Sequence, residues 1–237
     1  MAVFQNRIVR WGAGVTLSLG VATAAIGFLH TSAGRPLLAR LGGCPVGTAD
    51  PAAVQSSTEA SILSTRGQGR AAARPALGFR LDADTYERVM AWSVARDLSC
   101  HGSRENTVLK CQHVAASALP DATDARGVLD EMVFGFRASD GTLWSVAGWT
   151  YGGGARDASE RLAIAAGSLE RVLGAPQQRA GDVAALARGE SGAPSVAYRF
   201  EDYLADVSGS SVAGRITFRQ QYTSGTVLGR NVQAMNR

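Results

Sequence analysis

DASERLAIAAGSLERVLGAP, residues 157–176, and SVAYRFEDYLADVSGSSVAGRITFRQQYT, residues 195–223, decide how this chain folds. In the first, Leu162, Ala165, Ala166, Leu169, Val172 and Leu173 recur at helical spacing and form one apolar stripe. Asp157 or Ser159 offers a side-chain oxygen to the free N–H groups of the first turn. Gly174 suits the left-handed position past the end, and Pro176 forbids continuation. The second stretch reads as two strands, Ser195 to Val207 and Val212 to Thr223, around a turn at Ser208-Gly209-Ser210-Ser211. In the first strand Val196, Tyr198, Phe200 and Leu204 face one way, and Arg199, Glu201 and Tyr203 the other. In the second, Val212, Ile216, Phe218 and Tyr222 oppose Arg215, Thr217, Arg219 and Gln221. Such alternation predicts a sheet with one buried face and one wet face. The helix stripe covers the buried one.

A looser copy precedes this unit. Asp84-Thr85-Tyr86-Glu87 resembles a capping box, and Tyr86, Val89, Met90, Val94 and Leu98 form the stripe of a helix that starts there. Val108 to Val114 reads as a short strand. Leu129 to Arg137 and Thr142 to Tyr151 read as two more, around the hairpin signal Ser139-Asp140-Gly141. Gly152-Gly153-Gly154 then breaks to the second helix. The expected fold is α+β: an N-terminal transmembrane helix, then tandem helix-plus-antiparallel-sheet units, 82–151 and 157–223, forming one helix-on-sheet layer. The expected core is Tyr86, Val89, Met90, Phe134, Phe136, Leu162, Leu169, Val172, Tyr198, Phe200, Ile216 and Phe218.

The transmembrane expectation rests on Trp11 to Leu29, which holds no charged residue and is long enough to span a bilayer as a helix. Arg7 and Arg10 precede it, which puts the C-terminal bulk outside. The competing reading is a signal peptide cut after Thr31-Ser32-Ala33. The domain boundaries are then 1–10 cytoplasmic, 11–30 signal anchor, 31–78 flexible linker, 79–228 exported α+β domain and 229–237 tail. A short helix within 51–64 is compatible with the linker. Residues 1–80 carry eight arginines against Asp50 and Glu59, a net +6 of the +4 total. The remainder is close to neutral, so nothing suggests a nucleic-acid groove.

Cys100, His101, Cys111 and His113 are the one cluster of ligand-type residues. In an exported domain the leading reading is a Cys100–Cys111 disulfide that ties the helix end to the following strand. Pairing with Cys44 and a Cys/His metal site are the alternatives, and the spacing matches no standard zinc pattern. Gly189-Glu190-Ser191-Gly192 is not a nucleophile elbow, because its second Gly falls one residue early. Asp202 and Asp206 stand four residues apart on a strand, too far for a coupled pair. The Gly152-Gly153-Gly154 run lacks the Lys-Ser/Thr of a phosphate loop. No catalytic residue, cofactor or metal is therefore assigned, and the chain is not read as an enzyme.

Aromatic residues remain. Trp149, Tyr151 and Tyr203 are expected on the wet face, flanked by Arg199 and Arg219; together they make a candidate protein-binding surface. A helix ending in Leu173-Gly174-Ala175-Pro176, followed by long antiparallel strands, resembles the small outer-membrane assembly lipoproteins of the SmpA type. The doubled form resembles the beta-lactamase inhibitory protein fold. The likeness runs over residues 80–223 and implies binding of other proteins through a sheet face or its loops, without chemistry. The chain departs from the lipoprotein class at Leu41-Gly42-Gly43-Cys44, which Arg35, Pro36 and Arg40 separate from the apolar run. The expected function is a membrane-anchored envelope protein whose exported domain binds a protein partner in or at the membrane, or serves as accessory subunit of a membrane complex. The alternative is a small-molecule or lipid-binding periplasmic domain.

Overall fold

A computed structural model of the chain describes residues 60–121 and 127–226. In chain order they form helix α1 (Tyr86–Ala95), strands β1 (Ser99–Gly102), β2 (Val108–Ala115), β3 (Val128–Phe136) and β4 (Leu143–Tyr151), and helix α2 (Ala155–Leu173). Strand β5 (Gln178–Ala180), helix α3 (Val183–Ala187) and strands β6 (Ser195–Arg199), β7 (Tyr203–Val212) and β8 (Arg215–Ser224) follow. The fold is α+β, as expected. All eight strands join one antiparallel sheet in the order β1-β2-β3-β4-β8-β7-β6-β5. Among the described residues no helix is long and apolar enough to cross a membrane. The span expected at 11–30, most of the linker, Cys44 and the tail from 229 lie outside them.

Helix α2 ends where the sequence says it should. Gly174 takes a φ of 78° and its N–H reaches the Glu170 carbonyl. Its start differs: Gly154 stands at the cap with no side-chain bond, Asp157 binds Arg161, and Ser159 donates to the Val183 carbonyl. Leu162, Ala165, Ala166 and Leu169 are buried, whereas Val172 is 47% exposed, one turn too far round the helix. Helix α1 begins one residue later than expected. Thr85 is its cap, accepting from the Arg88 N–H, while Asp84 is buried and accepts from the Arg80 N–H at 2.8 Å. The helix stops at Ala95, so Val94 is 72% exposed and Leu98 lies beyond the last turn.

Residues 195–223 hold three strands rather than two. A tight turn at Glu201-Asp202 places Arg199 opposite Leu204 and Tyr198 opposite Ala205. Residues opposite each other share a face, so odd positions after the turn join even positions before it. Tyr203 therefore falls on the helix-covered face, the reverse of the expectation from unbroken alternation. The serine-rich turn is also a correction. Ser208, Gly209, Ser210 and Ser211 pair with β8 inside the strand, and the chain reverses at Ala213-Gly214, both at positive φ. Gly209 is where α3 lands: a Cβ there would overlap Leu186 Cδ2. Small residues in that strand serve close packing, not reversal.

One buried cluster fills the space between helices and sheet, from Val89, Leu109, Met132 and Phe134 through Leu162 and Leu169 to Tyr198, Val207 and Phe218. Phe200 and Ile216, expected in the core, are half-buried at its margin. His113 takes a φ of 52°, and past it Val114 and Leu129, paired across β2 and β3, join the cluster although strict alternation puts them on the other face.

The linker expected to reach residue 78 gives way earlier. Residues 60–65 are helical, and Ile62 packs on Leu204 beside Leu63 and Trp144. The next residues bind the β6–β7 turn: the Glu201 N–H donates to the Gly69 carbonyl and the Ala71 N–H to Asp202 Oδ1. Ala76 and Phe79 then enter the main core. The strap thus starts on one face of the sheet and ends on the other. Asp82 secures its exit, accepting from Arg74, Arg137, Ser224 and Thr226.

Candidate functional site

The register places a polar and aromatic surface on the face that α2 leaves uncovered. Across β4 and β8, Trp149 stands opposite Arg219, Tyr151 opposite Thr217 and Ala147 opposite Gln221. Across β3 and β4, Glu131 stands opposite Trp149. Across β2 and β3, Gln112 stands opposite Glu131, and Lys110 opposite Val133. Trp149, at the centre, is thus flanked by a carboxylate on one neighbouring strand and a guanidinium on the other.

Arg219 Cζ lies 5.6 Å from the Trp149 ring centroid, within cation–π range. The same guanidinium donates to Gln221 Oε1. On the far side Lys110 Nζ meets Glu131 Oε2 at 2.5 Å, with the lysine 44% exposed. Tyr151 is 47% exposed, and its backbone N–H binds Asp130 Oδ2 at 2.6 Å. Partial burial, and then the charges of Glu131 and Asp130, hold the Tyr151 phenol above its ordinary pKa. The patch sits on paired strands, not loops. It holds both signs of charge in a fixed order around aromatic area.

Of the five residues expected to bind a partner, Trp149, Tyr151 and Arg219 come together here. Arg199 shares the face but is spent: its side chain is 16% exposed and its guanidinium makes two bonds to the Asp206 carboxylate. Tyr203 is on the opposite side, fully buried, and donates its hydroxyl to the Pro75 carbonyl. Burial pushes that phenol well above its ordinary pKa. Glu131 and Lys110 were missed by reading aromatics alone. The hairpin signal at Ser139-Asp140-Gly141 brings β3 beside β4, but a register shift between Gly135 and Phe136, which the sequence does not mark, decides that Glu131 meets Trp149.

Cys100 and Cys111 are register partners across β1 and β2, and their sulfurs are bonded. Cys111 is fully buried under the helices. The neighbouring histidines take no part: His101 is exposed opposite Lys110, and His113 is exposed at its positive φ. Among the described residues no group of three or more His, Cys, Asp or Glu gathers in metal-binding geometry. Ser191 lies in an exposed loop. Asp202 is bound to the strap and Asp206 to Arg199, so neither is poised for acid–base work.

Comparison with protein-family models, with curated proteins and with solved structures finds no match.

Proposed function

We propose that the chain is a non-enzymatic, membrane-anchored envelope protein whose exported domain binds a protein partner through the uncovered sheet face, with Trp149 at the centre of the contact. The observation that carries this reading is the Glu131–Trp149–Arg219 row across three neighbouring strands, with Tyr151 exposed beside it. Aromatic and arginine side chains dominate binding energy at protein interfaces when neighbouring contacts exclude water around them. Lys110 and Arg219 at the two ends of the row supply charge that orients a partner.

The reading includes a tandem build: α1 with β1–β4, and α2 with β5–β8, meeting at β4 and β8. Each half contributes its last strand to the sheet centre, and the row spans that seam. The resemblance to sheet-face protein binders of the beta-lactamase inhibitory type agrees with this placement. The anchor belongs to the uncharged run at 11–30, which also sets the exported location.

The test is affinity purification of the full chain from detergent-solubilised membranes, followed by mass spectrometry, in parallel with a Trp149→Ala, Arg219→Glu chain. A partner enriched by the parent and lost with the double variant supports the reading. A partner retained equally by both, or no partner at all, overturns it. Carbonate washing checks the anchor: a full-length chain released from the membrane removes that part of the proposal.

A further inference from the structure

Arg215 and Arg219 stand on the uncovered face of β8, with Thr217 between them. At about 3.4 Å per residue the two arginines are about 13 Å apart along the strand. The Thr217 hydroxyl shares a hydrogen bond of 2.5 Å with Ser210 Oγ. On the β4 side Trp149 and Tyr151 are the register partners of Arg219 and Thr217. On the β7 side Ser208, Ser210 and Val212 are the partners of Arg219, Thr217 and Arg215. The β7 side chains are short, so a shallow lane runs along β8 with aromatic area on its other flank.

The charge along this lane has one sign. Arg215 is exposed, and among the described residues it meets no acid. The Arg219 guanidinium lies over Trp149 and donates to Gln221, a neutral group. At the uncovered-face positions of β4, β7 and β8 the one acid is Asp206, and Arg199 holds it with two bonds. Glu131, across Trp149 on β3, is held by Lys110. A partner that covers two such guanidiniums without supplying acids leaves charge buried and unpaired, which is costly. Arginine's planar fork matches a carboxylate with two parallel bonds.

We infer that the partner lays an acidic segment along β8, with one carboxylate on Arg215, a second on Arg219, and apolar side chains against Trp149 and Tyr151. The inference rests on the reading of the uncovered face as a protein-binding surface, and adds to it Arg215 and the chemistry of the partner. Two guanidiniums set along one strand match carboxylates held at a set spacing on one protein segment. A layer of anionic headgroups has no such spacing.

Lys110 is the only lysine of the chain and is engaged by Glu131, so carbodiimide coupling of an amine to a carboxylate has little background. Full chains carrying Arg215→Lys or Arg219→Lys are used to capture the partner from detergent-solubilised membranes, coupled with carbodiimide, and mapped by mass spectrometry. The expected result is an amide bond from each introduced amine to an Asp or Glu of one partner segment. Arg215→Glu should reduce partner retention about tenfold or more, because like charges then face each other. A partner captured by the parent but coupled at neither position overturns the inference and leaves the protein-binding reading standing. Retention undiminished by Arg215→Glu does the same. No partner captured by the parent overturns the underlying reading, and the inference with it. Shielding of the introduced amines from acetic anhydride by phosphatidylglycerol vesicles, and not by the captured partner, would assign the lane to lipid and overturn the inference.

Discussion

Arg219 and Trp149 are direct cross-strand partners on β8 and β4, with the guanidinium carbon 5.6 Å from the ring centroid. The pair bridges the two central strands on the surface that no described helix but residues 60–65 approaches. Cross-strand pairs of this kind contribute roughly 0.2–1 kcal/mol, which is too little to make them fold determinants. Arg219→Ala should lower unfolding free energy by no more than about 1 kcal/mol, while retention of the proposed partner falls sharply. A chemical-denaturation midpoint shifted far beyond that value would reassign the pair to stability.

Asp82 ties four groups from distant parts of the chain. Burial alone raises its pKa, but the hydroxyls of Ser224 and Thr226 and the Arg74 guanidinium outweigh it, and the carboxyl ends below its ordinary value. A carboxyl with a depressed folded pKa stabilises the fold above its unfolded value, near about 3.9, and loses that contribution as pH falls through the folded value. Asp82→Asn should therefore cost about 2 kcal/mol or more at pH 7, since Arg137, only 15% exposed, loses its main partner. The gap between variant and parent should narrow as the pH is taken below about 4. Urea unfolding at neutral and acid pH measures it, and a constant gap over that range would contradict the assignment.

Gly209 carries the weight of helix α3 through Leu186, which is 1% exposed. Valine has the strand propensity that glycine lacks, so on local grounds Gly209→Val should help. Overlap with Leu186 decides the sign: overpacking costs typically about 1–3 kcal/mol. Gly209→Val should lower the unfolding midpoint, and adding Leu186→Ala should recover part of the loss. An improved midpoint in the single variant would show that α3 yields freely.

The Cys100–Cys111 bond closes a loop between an edge strand and its neighbour. In the chain-entropy model a loop of this size is worth roughly 3 kcal/mol. Replacing both cysteines by alanine should lower stability by about that amount and leave retention of the proposed partner unchanged. Peptide mapping without reductant checks the pairing itself; free thiols at both positions would refute it.

The sequence shows most plainly what depends on local chemistry. Gly174 and Pro176 mark the end of α2, the alternation of Ile216, Phe218 and Tyr222 gives β8 its covered face, and Ser139-Asp140-Gly141 gives the β3–β4 turn. What it hides depends on parity. Glu201-Asp202 carries no glycine or proline, so nothing local marks the reversal there, and every position after it shifts face; Tyr203 is the casualty. His113 produces a similar change through one positive φ. The serine-rich stretch at 208–211 has turn composition but strand geometry, because Leu186 and the partner strand need small residues there. Strand β5 and helix α3 lie in a Gly-rich connection with too few apolar positions to show a period. For the site, aromatics and arginines were visible as types, but which of them meet is a matter of register.

The sheet order has a consequence for how the chain is assembled. β4 finds its second neighbour only in β8, so its edge opposite β3 remains bare through the making of α2, β5, α3, β6 and β7. An unpaired strand edge is a template for the wrong partner. A chain emerging amino end first therefore carries an adhesive edge at 143–151 until residues 215–224 arrive to zip it shut, and a version stopped before Arg215 leaves both β4 and β7 open to strangers.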